Sequence, residues 1–401
     1  MRIAPVLVAA ALFSGAWAVP QSQMADGGAS VPKIDAKHEK DIEADKKLGE
    51  EYSKQIAKEV KFSEDQAAID RVTRIGEDLA KIANTQKVNV LWGDSRLSPF
   101  DYTFHVIKGD DVNAFSIPGG YIYVYEGLVN EVESDDELAG VLAHEIAHAA
   151  FRHIATMQHE QSKFNIVNIG AILAAIWSRS DATKILLPTQ LLNIGMQSGW
   201  SVKAEEAADY GGLQYMLKSK YNPLGMLTFM ERLAYRDRLS PQIAWGIFET
   251  HPPSEDRAQT LLKELNEHNV PLHRSLVSSS LRATSKIGDS GIELFFGPNK
   301  IHVFAGDDSQ MRADRAVDRI NAFCDSVPAL YELEVRDSSL YGEGRRLFEI
   351  EETDAEAEKV SLRDAVAKAN QAMKSALFDL SYRVWTTRPG LGDADPSPPP
   401  P

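Results

Sequence analysis

His144-Glu145-Ile146-Ala147-His148 sets two imidazoles four residues apart, one turn of a helix, with a carboxylate beside the first. Two neutral imidazole nitrogens bind Zn²⁺ without cancelling its charge. A third protein ligand completes the frame, and an open fourth position takes a water whose pKa falls to about 7. Glu145, one residue past a ligand, points toward that water rather than the metal and can carry its proton to a leaving amine. Glu137, Leu138, Val141, Leu142, Ile146 and Ala147 supply an amphipathic helical frame, with no proline or glycine between Val141 and Ile154. His153, five residues after His148, falls on another face of that helix and is expected to be structural.

A third ligand has to come from elsewhere in the chain. Glu205-Glu206-Ala207-Ala208-Asp209 lies in a second helical stretch, where Glu205 would ligate. Asp209, one turn on, would accept the free N–H of a ligating histidine. Taken alone, the same run is also what a solvated acidic helix face looks like.

From Asp41 to Leu265 the chain resembles the zinc metallopeptidases that include the CAAX prenyl proteases, the heat-shock membrane protease HtpX and the periplasmic BepA-like branch. Five blocks carry the resemblance in the family's order: Asp70 to Ala83, Asn113 to Asn130, Glu137 to His153, Glu205 to Gly211 and His251 to Arg257. It implies a mainly helical gluzincin fold with a small β-sheet. It further implies one Zn²⁺ per chain on His144, His148 and Glu205, with Glu145 as general base. His251 and Arg257 are implied to reach the site, where a cation would stabilise the oxyanion of a tetrahedral intermediate; in some periplasmic members the loop histidine caps the zinc instead. The strand Tyr121 to Tyr125 is implied to border the cleft and to pair with an extended substrate backbone, with Asn113 and Ala114 as substrate contacts. One departure stands out: the family commonly has Ser-Arg four and three residues before the glutamate ligand, where this chain has Ser201-Val202. An arginine supporting the acidic motif is therefore missing from its usual place.

The remaining elements must position these residues. The chain has 401 residues, a quarter of them charged, which suits a globular protein of two domains. A net charge of −15 without a basic patch argues against nucleic acid as a partner. Residues 1–18 resemble a signal peptide: Arg2, an apolar run from Ile3 to Trp17, and Ala16-Trp17-Ala18 as cleavage site. This predicts export to the periplasm, with an uncleaved membrane anchor as the alternative. Cys324 is the only cysteine, so no intrachain disulfide forms. The segments expected next are a linker (19–40), the metallopeptidase domain (41–265) containing a charged helix from Asp41 to Phe62, and a second linker (266–287). A small α+β accessory domain (288–388) and a disordered proline-rich tail (389–401) follow.

The accessory domain is expected to be strand-strand-helix, repeated once. Its elements are a hairpin about Gly297-Pro298-Asn299, a helix over Ser309 to Ser326, strands over Leu330 to Arg336 and Arg346 to Ile350, and a helix over Ala355 to Phe378. Phe164 to Trp177 and Ile185 to Met196 are apolar but shorter than the roughly 20 residues of a membrane span. They are expected to form a helical hairpin that buries the active-site helix or touches a membrane surface. The functional expectation is a zinc metalloendopeptidase acting on misfolded or misassembled envelope proteins, in contact with envelope assembly machinery. The alternative is a latent or chaperone-like adaptor with its zinc capped.

Overall fold

A computed structural model describes residues 34–162, 200–239 and 255–384. The expectations for residues 1–18, for Phe164 to Trp177 and Ile185 to Met196, for His251 and for the tail lie outside these residues. The α+β expectation holds: among the described residues helices dominate, with three small three-stranded sheets. No helix among the described residues is long and apolar enough to cross a membrane.

Helix α1 (Ala36–Glu59) begins inside the expected linker, because the Asp35 carboxylate caps the amides of Lys37 and His38. Helix α2 (Gln66–Ala83) is capped by Asp65 in the same way. The first sheet has the order β1 (Thr103–Ile107), β3 (Tyr121–Tyr125), β2 (Ala114–Ile117), with β1 parallel and β2 antiparallel to β3. Its two faces separate by the period-two rule. Val106, Ala114, Ile122 and Val124 enter the main core with α2, while Ile107, Phe115, Ile117 and Tyr123 pack under α1. Tyr123 is fully buried there, and its hydroxyl donates to Ser53 Oγ at 3.0 Å. The tyrosine-bearing strand β3 is therefore central, paired on both sides, and not at the cleft edge as expected. Among the described residues the outer strands are β1, bridged on its far side by Phe62 at Ile107, and β2.

Helix α3 (Glu126–Glu131) leads to α4 (Asp135–Ala150), which carries the histidine pair. Ser134 Oγ accepts the Glu137 amide at 3.1 Å, and Asp135, Asp136 and Glu137 place negative charge at the helix N-terminus. Nearly every α4 side chain is buried, because α2, α6 (Trp200–Met216) and α7 (Leu224–Leu239) pack around it. The α4–α6 crossing is close: a Cβ on Gly212 would stand 3.0 Å from the His144 backbone nitrogen. Helix α4 ends at Phe151, Arg152 turns left-handed with φ 53°, and α5 (His153–Ser162) starts in a new direction. Helix α8 (Glu255–Glu267) then packs on α6 and α7.

A second core forms from Leu281 onward. Strands β4 (Ala283–Ile287), β5 (Ile292–Phe296) and β6 (Asn299–Phe304) precede α9 (Ser309–Asp325). Strands β7 (Leu333–Arg336), β8 (Ser339–Gly342) and β9 (Arg345–Glu349) precede α10 (Glu352–Glu358) and α11 (Leu362–Arg383). Each half thus has three strands where two were expected, and β4 lies within the expected linker. The short β4 and β8 carry too little apolar alternation to stand out. The expected single helix from Ala355 to Phe378 is two, broken at Lys359 (φ 58°) and restarted by the Ser361 cap.

Candidate metal centre

The four-residue spacing of His144 and His148 puts both rings on one face of α4, and the α4–α6 crossing brings Glu205 beneath them. His144 Nε2 lies 3.0 Å from His148 Nε2 and 3.2 Å from Glu205 Oε2, while His148 Nε2 lies 3.3 Å from Glu205 Oε1. These three residues form the one candidate metal group among the described residues, with donor atoms all within 4.8 Å of one another.

The fit to zinc can be tested on those distances. Bonds of about 2.0–2.1 Å at tetrahedral angles separate donor atoms by about 3.3 Å. The observed 3.0 to 3.3 Å lies close to that figure. Both Nδ1 atoms are engaged elsewhere, so both Nε2 atoms are left to converge on one point. Two imidazoles and one carboxylate are the donor set of a borderline divalent cation such as zinc.

Behind the trio stands a second layer. His144 Nδ1 lies 2.9 Å from Asp209 Oδ1. Arg257 grips Asp209 in a fork, Nε to Oδ2 at 2.7 Å and Nη2 to Oδ1 at 2.9 Å, and its Nη1 reaches Glu205 Oε2 at 3.2 Å. The resemblance implied an oxyanion-binding cation at Arg257. The structure does bring Arg257 to the site, where its guanidinium is buried between the carboxylates of Asp209 and Glu205. Arg257 thereby supplies, from α8, the arginine missing beside Ser201. Val202, at that place, is exposed.

The electrostatics follow from this packing. Desolvation opposes protonation of His144, but Asp209 and Glu205 outweigh it and push its pKa up to about 10. Desolvation would raise Asp209, yet Arg257 holds it down to about 2. Burial lowers His148, only partly countered by Glu205. Burial, reinforced by His148, holds His153 well below the usual histidine range.

Glu145 follows His144 on α4 and is 1% exposed. Asn113 is buried just before β2, where its Oδ1 accepts the Ala114 amide at 2.8 Å. His153 is the residue that pattern reasoning misplaced: it contacts His148 directly, Nδ1 to Nδ1 at 2.9 Å. Helical periodicity fails across the Arg152 break, and no signal in the letters gives the turn's direction.

Residues 71–265 match the model of Peptidase family M48. The chain is 27% identical over 224 residues to the beta-barrel assembly-enhancing protease of Escherichia coli, covering 55% of this chain and 43% of that protein. It is 32% identical over 177 residues to the mitochondrial metalloendopeptidase OMA1 of Schizosaccharomyces pombe, covering 44% and 50%. To the metalloprotease LoiP of Escherichia coli it is 28% identical over 189 residues, covering 46% and 71%. The chain thus spans about half the length of the first two of these relatives. The matched segment contains every described residue of the site, from Asn113 to Arg257. Residues 71–265, close to half of the chain, are thus similar to Peptidase family M48, and the relatives matched over this stretch are metalloproteases by name.

Proposed function

We propose that the chain is a zinc-dependent metalloendopeptidase, with one Zn²⁺ held by His144, His148 and Glu205, that cleaves misfolded or misassembled proteins of the cell envelope. The observation that carries this reading is the convergence of three donor side chains on one point, His144 and Glu205 buried and His148 half-buried, with Glu145 next to them on α4. When bound, zinc supplies Lewis acidity, polarising a carbonyl and lowering the pKa of a water to about 7. Glu145, beside His144 on α4, would be the group that takes a proton from water and passes it to the leaving amine. Asp209 holds the His144 ring through its Nδ1, and Arg257 keeps Asp209 ionised.

The register of β2 supports substrate binding at its edge. Tyr125 N donates to Asn113 O, which puts Asn113, Phe115 and Ile117 in hydrogen-bonded pairs with β3 and turns the backbone groups of Ala114 and Ser116 outward. Asn113 Oδ1 already receives the Ala114 amide. The Ala114 carbonyl and the Ser116 backbone are the groups an extended substrate would pair with, and main-chain pairing tolerates many sequences.

Within Peptidase family M48 we place the chain on the periplasmic BepA-like branch of the HtpX and CAAX protease group. Two things support the envelope setting: the signal-peptide pattern of residues 1–18 and the similarity to a beta-barrel assembly-enhancing protease. Envelope assembly machinery or a membrane surface is the partner in this reading.

The test is cleavage of unfolded casein by zinc-loaded wild type and by Glu145→Gln. The expected result is a rate loss of about 10²–10⁴-fold in the variant with zinc retained. Equal cleavage by the two, or none by either after zinc loading, overturns the peptidase reading and leaves the capped adaptor.

A further inference from the structure

The break between α4 and α5 builds a support for one zinc ligand that no helix could provide. On a continuous helix the residue five places after His148 lies on another face. Here Arg152 takes φ 53°, and the chain turns so that the His153 ring meets His148 edge-on, with centroids 4.8 Å apart and planes at 86°. The two Nδ1 atoms are 2.9 Å apart, a hydrogen bond in which one nitrogen carries the proton and the other the lone pair.

Which is which follows from the other end of His148. Its Nε2 faces His144 Nε2 and Glu205 within the donor trio, so it must present a lone pair there. A neutral imidazole then carries its proton on Nδ1. His148 donates, His153 accepts, and His153 keeps its own proton on Nε2, against the backbone at Gly93.

We propose that His153 is a positioning residue of the metal centre, which fixes the tautomer and the ring plane of His148 by accepting its Nδ1–H. The surroundings hold His153 in that place. It is 1% exposed, with the Trp92 ring 5.1 Å away on one side and Gly93 so close that a Cβ there would stand 2.8 Å from its Cδ2. The break itself is clamped: Arg152 binds Asp45 at 2.5 and 3.2 Å, Asp94 at 3.1 Å and the Asp41 carbonyl at 3.2 Å. The Asp94 amide also donates to the Phe151 carbonyl at 2.8 Å. The two histidine ligands are thus oriented by different chemistries, His144 by a carboxylate and His148 by a neutral ring.

The inference rests on the metal-centre reading, and its test separates the two. In the full chain, His153→Phe keeps the bulk and removes the acceptor. His153→Asn offers an amide oxygen near the place of Nδ1, and His153→Ala leaves a space that added imidazole can fill. Zinc affinity is measured by competition with a chromogenic chelator, and the visible spectrum of the Co²⁺-loaded chain reports ligand geometry. The expected result is a zinc Kd raised about 10–100-fold in His153→Phe and His153→Ala, with an altered Co²⁺ spectrum. His153→Asn, and His153→Ala with imidazole, recover most of the affinity and the wild-type spectrum.

Wild-type affinity in a folded His153→Phe overturns the role. So does equal weakening in all three variants with no recovery by imidazole, which marks His153 as packing alone. A wild-type chain that takes up no zinc overturns the metal centre, and the role of His153 with it.

Discussion

Gly212→Ala isolates the α4–α6 distance from the chemistry of the ligands. The added Cβ would stand 3.0 Å from the His144 nitrogen and 3.1 and 3.2 Å from the Ala143 carbonyl carbon and oxygen, all of them backbone atoms that cannot rotate away. Ordinary contact lies near 3.5–4.0 Å, so the two helices must part by about 0.5 Å at the level of His144. The ligand Glu205 and its neighbour Asp209 ride on the helix that moves, while metal distances tolerate only about 0.2 Å. Overpacking costs about 1–3 kcal/mol, and replacing a helical glycine by alanine returns about 1 kcal/mol, so the fold survives with a net loss of about 0–2 kcal/mol. The metal site does not share that compensation. Relieving even ~1.4 kcal/mol of strain by letting Glu205 drift is a tenfold loss of affinity. Thermal melts in EDTA and in excess zinc read both effects, because the stabilisation by zinc follows its Kd. The expected variant melts near wild type in EDTA but gains far less from zinc. A variant with the full zinc gain and full casein cleavage refutes the claim that this crossing sets the ligand geometry.

Two further outcomes follow from the same network, and a third from the second core. Asp209→Asn keeps an acceptor for His144 but removes the charge that holds Arg257, and zinc Kd is expected to rise about 10–100-fold in chelator competition. Arg257→Met leaves Asp209 and Glu205 buried without their cation; urea denaturation in EDTA should show a loss of about 3–5 kcal/mol, smaller in excess zinc, which supplies positive charge at Glu205. In the second core, desolvation would raise Asp354, but His302 and Arg312 outweigh it and hold its pKa at about 2. A carboxylate depressed from 3.8 to about 2 contributes about 2 kcal/mol above pH 4, lost as pH falls toward 2. The stability gap between wild type and Asp354→Asn, measured in urea at pH 7 and pH 3, should therefore narrow on the acid side, and a gap independent of pH would contradict this assignment.

The candidate donor group was legible because its residues stand at local helical spacings. His144 and His148, and Glu205 and Asp209, stand four apart, and a helix converts that spacing into one face whatever the rest of the chain does. What the letters did not carry were relations set by tertiary packing or by single backbone angles. Helical periodicity assigns His153 to the wrong face because one residue, Arg152, leaves the right-handed region, held there by Asp45 and Asp94 from distant segments. The alternation of Tyr121 to Tyr125 predicts a strand but not its neighbours, and β3 proved to be central because β1 and β2 flank it. Strands β4 and β8 are short, with polar or glycine positions, and acquire their identity from the sheets they complete.

The charges of the site explain why its support comes from several elements. Glu205 and Asp209 are buried one turn apart on α6, an arrangement that repels unless cations compensate. Arg257 serves both carboxylates from α8, so the end of the metallopeptidase segment is tied electrostatically to its centre. The chain that follows α8 is held in turn: Arg274 pairs with the buried Glu231 of α7 at 2.7 Å, and Ser280 N donates to Glu133 just before α4 at 2.8 Å. Ser275 then binds Asp325 at the end of α9 through its amide at 2.9 Å and its hydroxyl at 2.7 Å. Polar contacts thus tie the chain beyond α8 both to α7 and the start of α4 and to the end of α9. Polar contacts of this kind depend on angle and distance far more than apolar packing does, so Ser275 and Ser280 fix the path of the chain between α8 and β4.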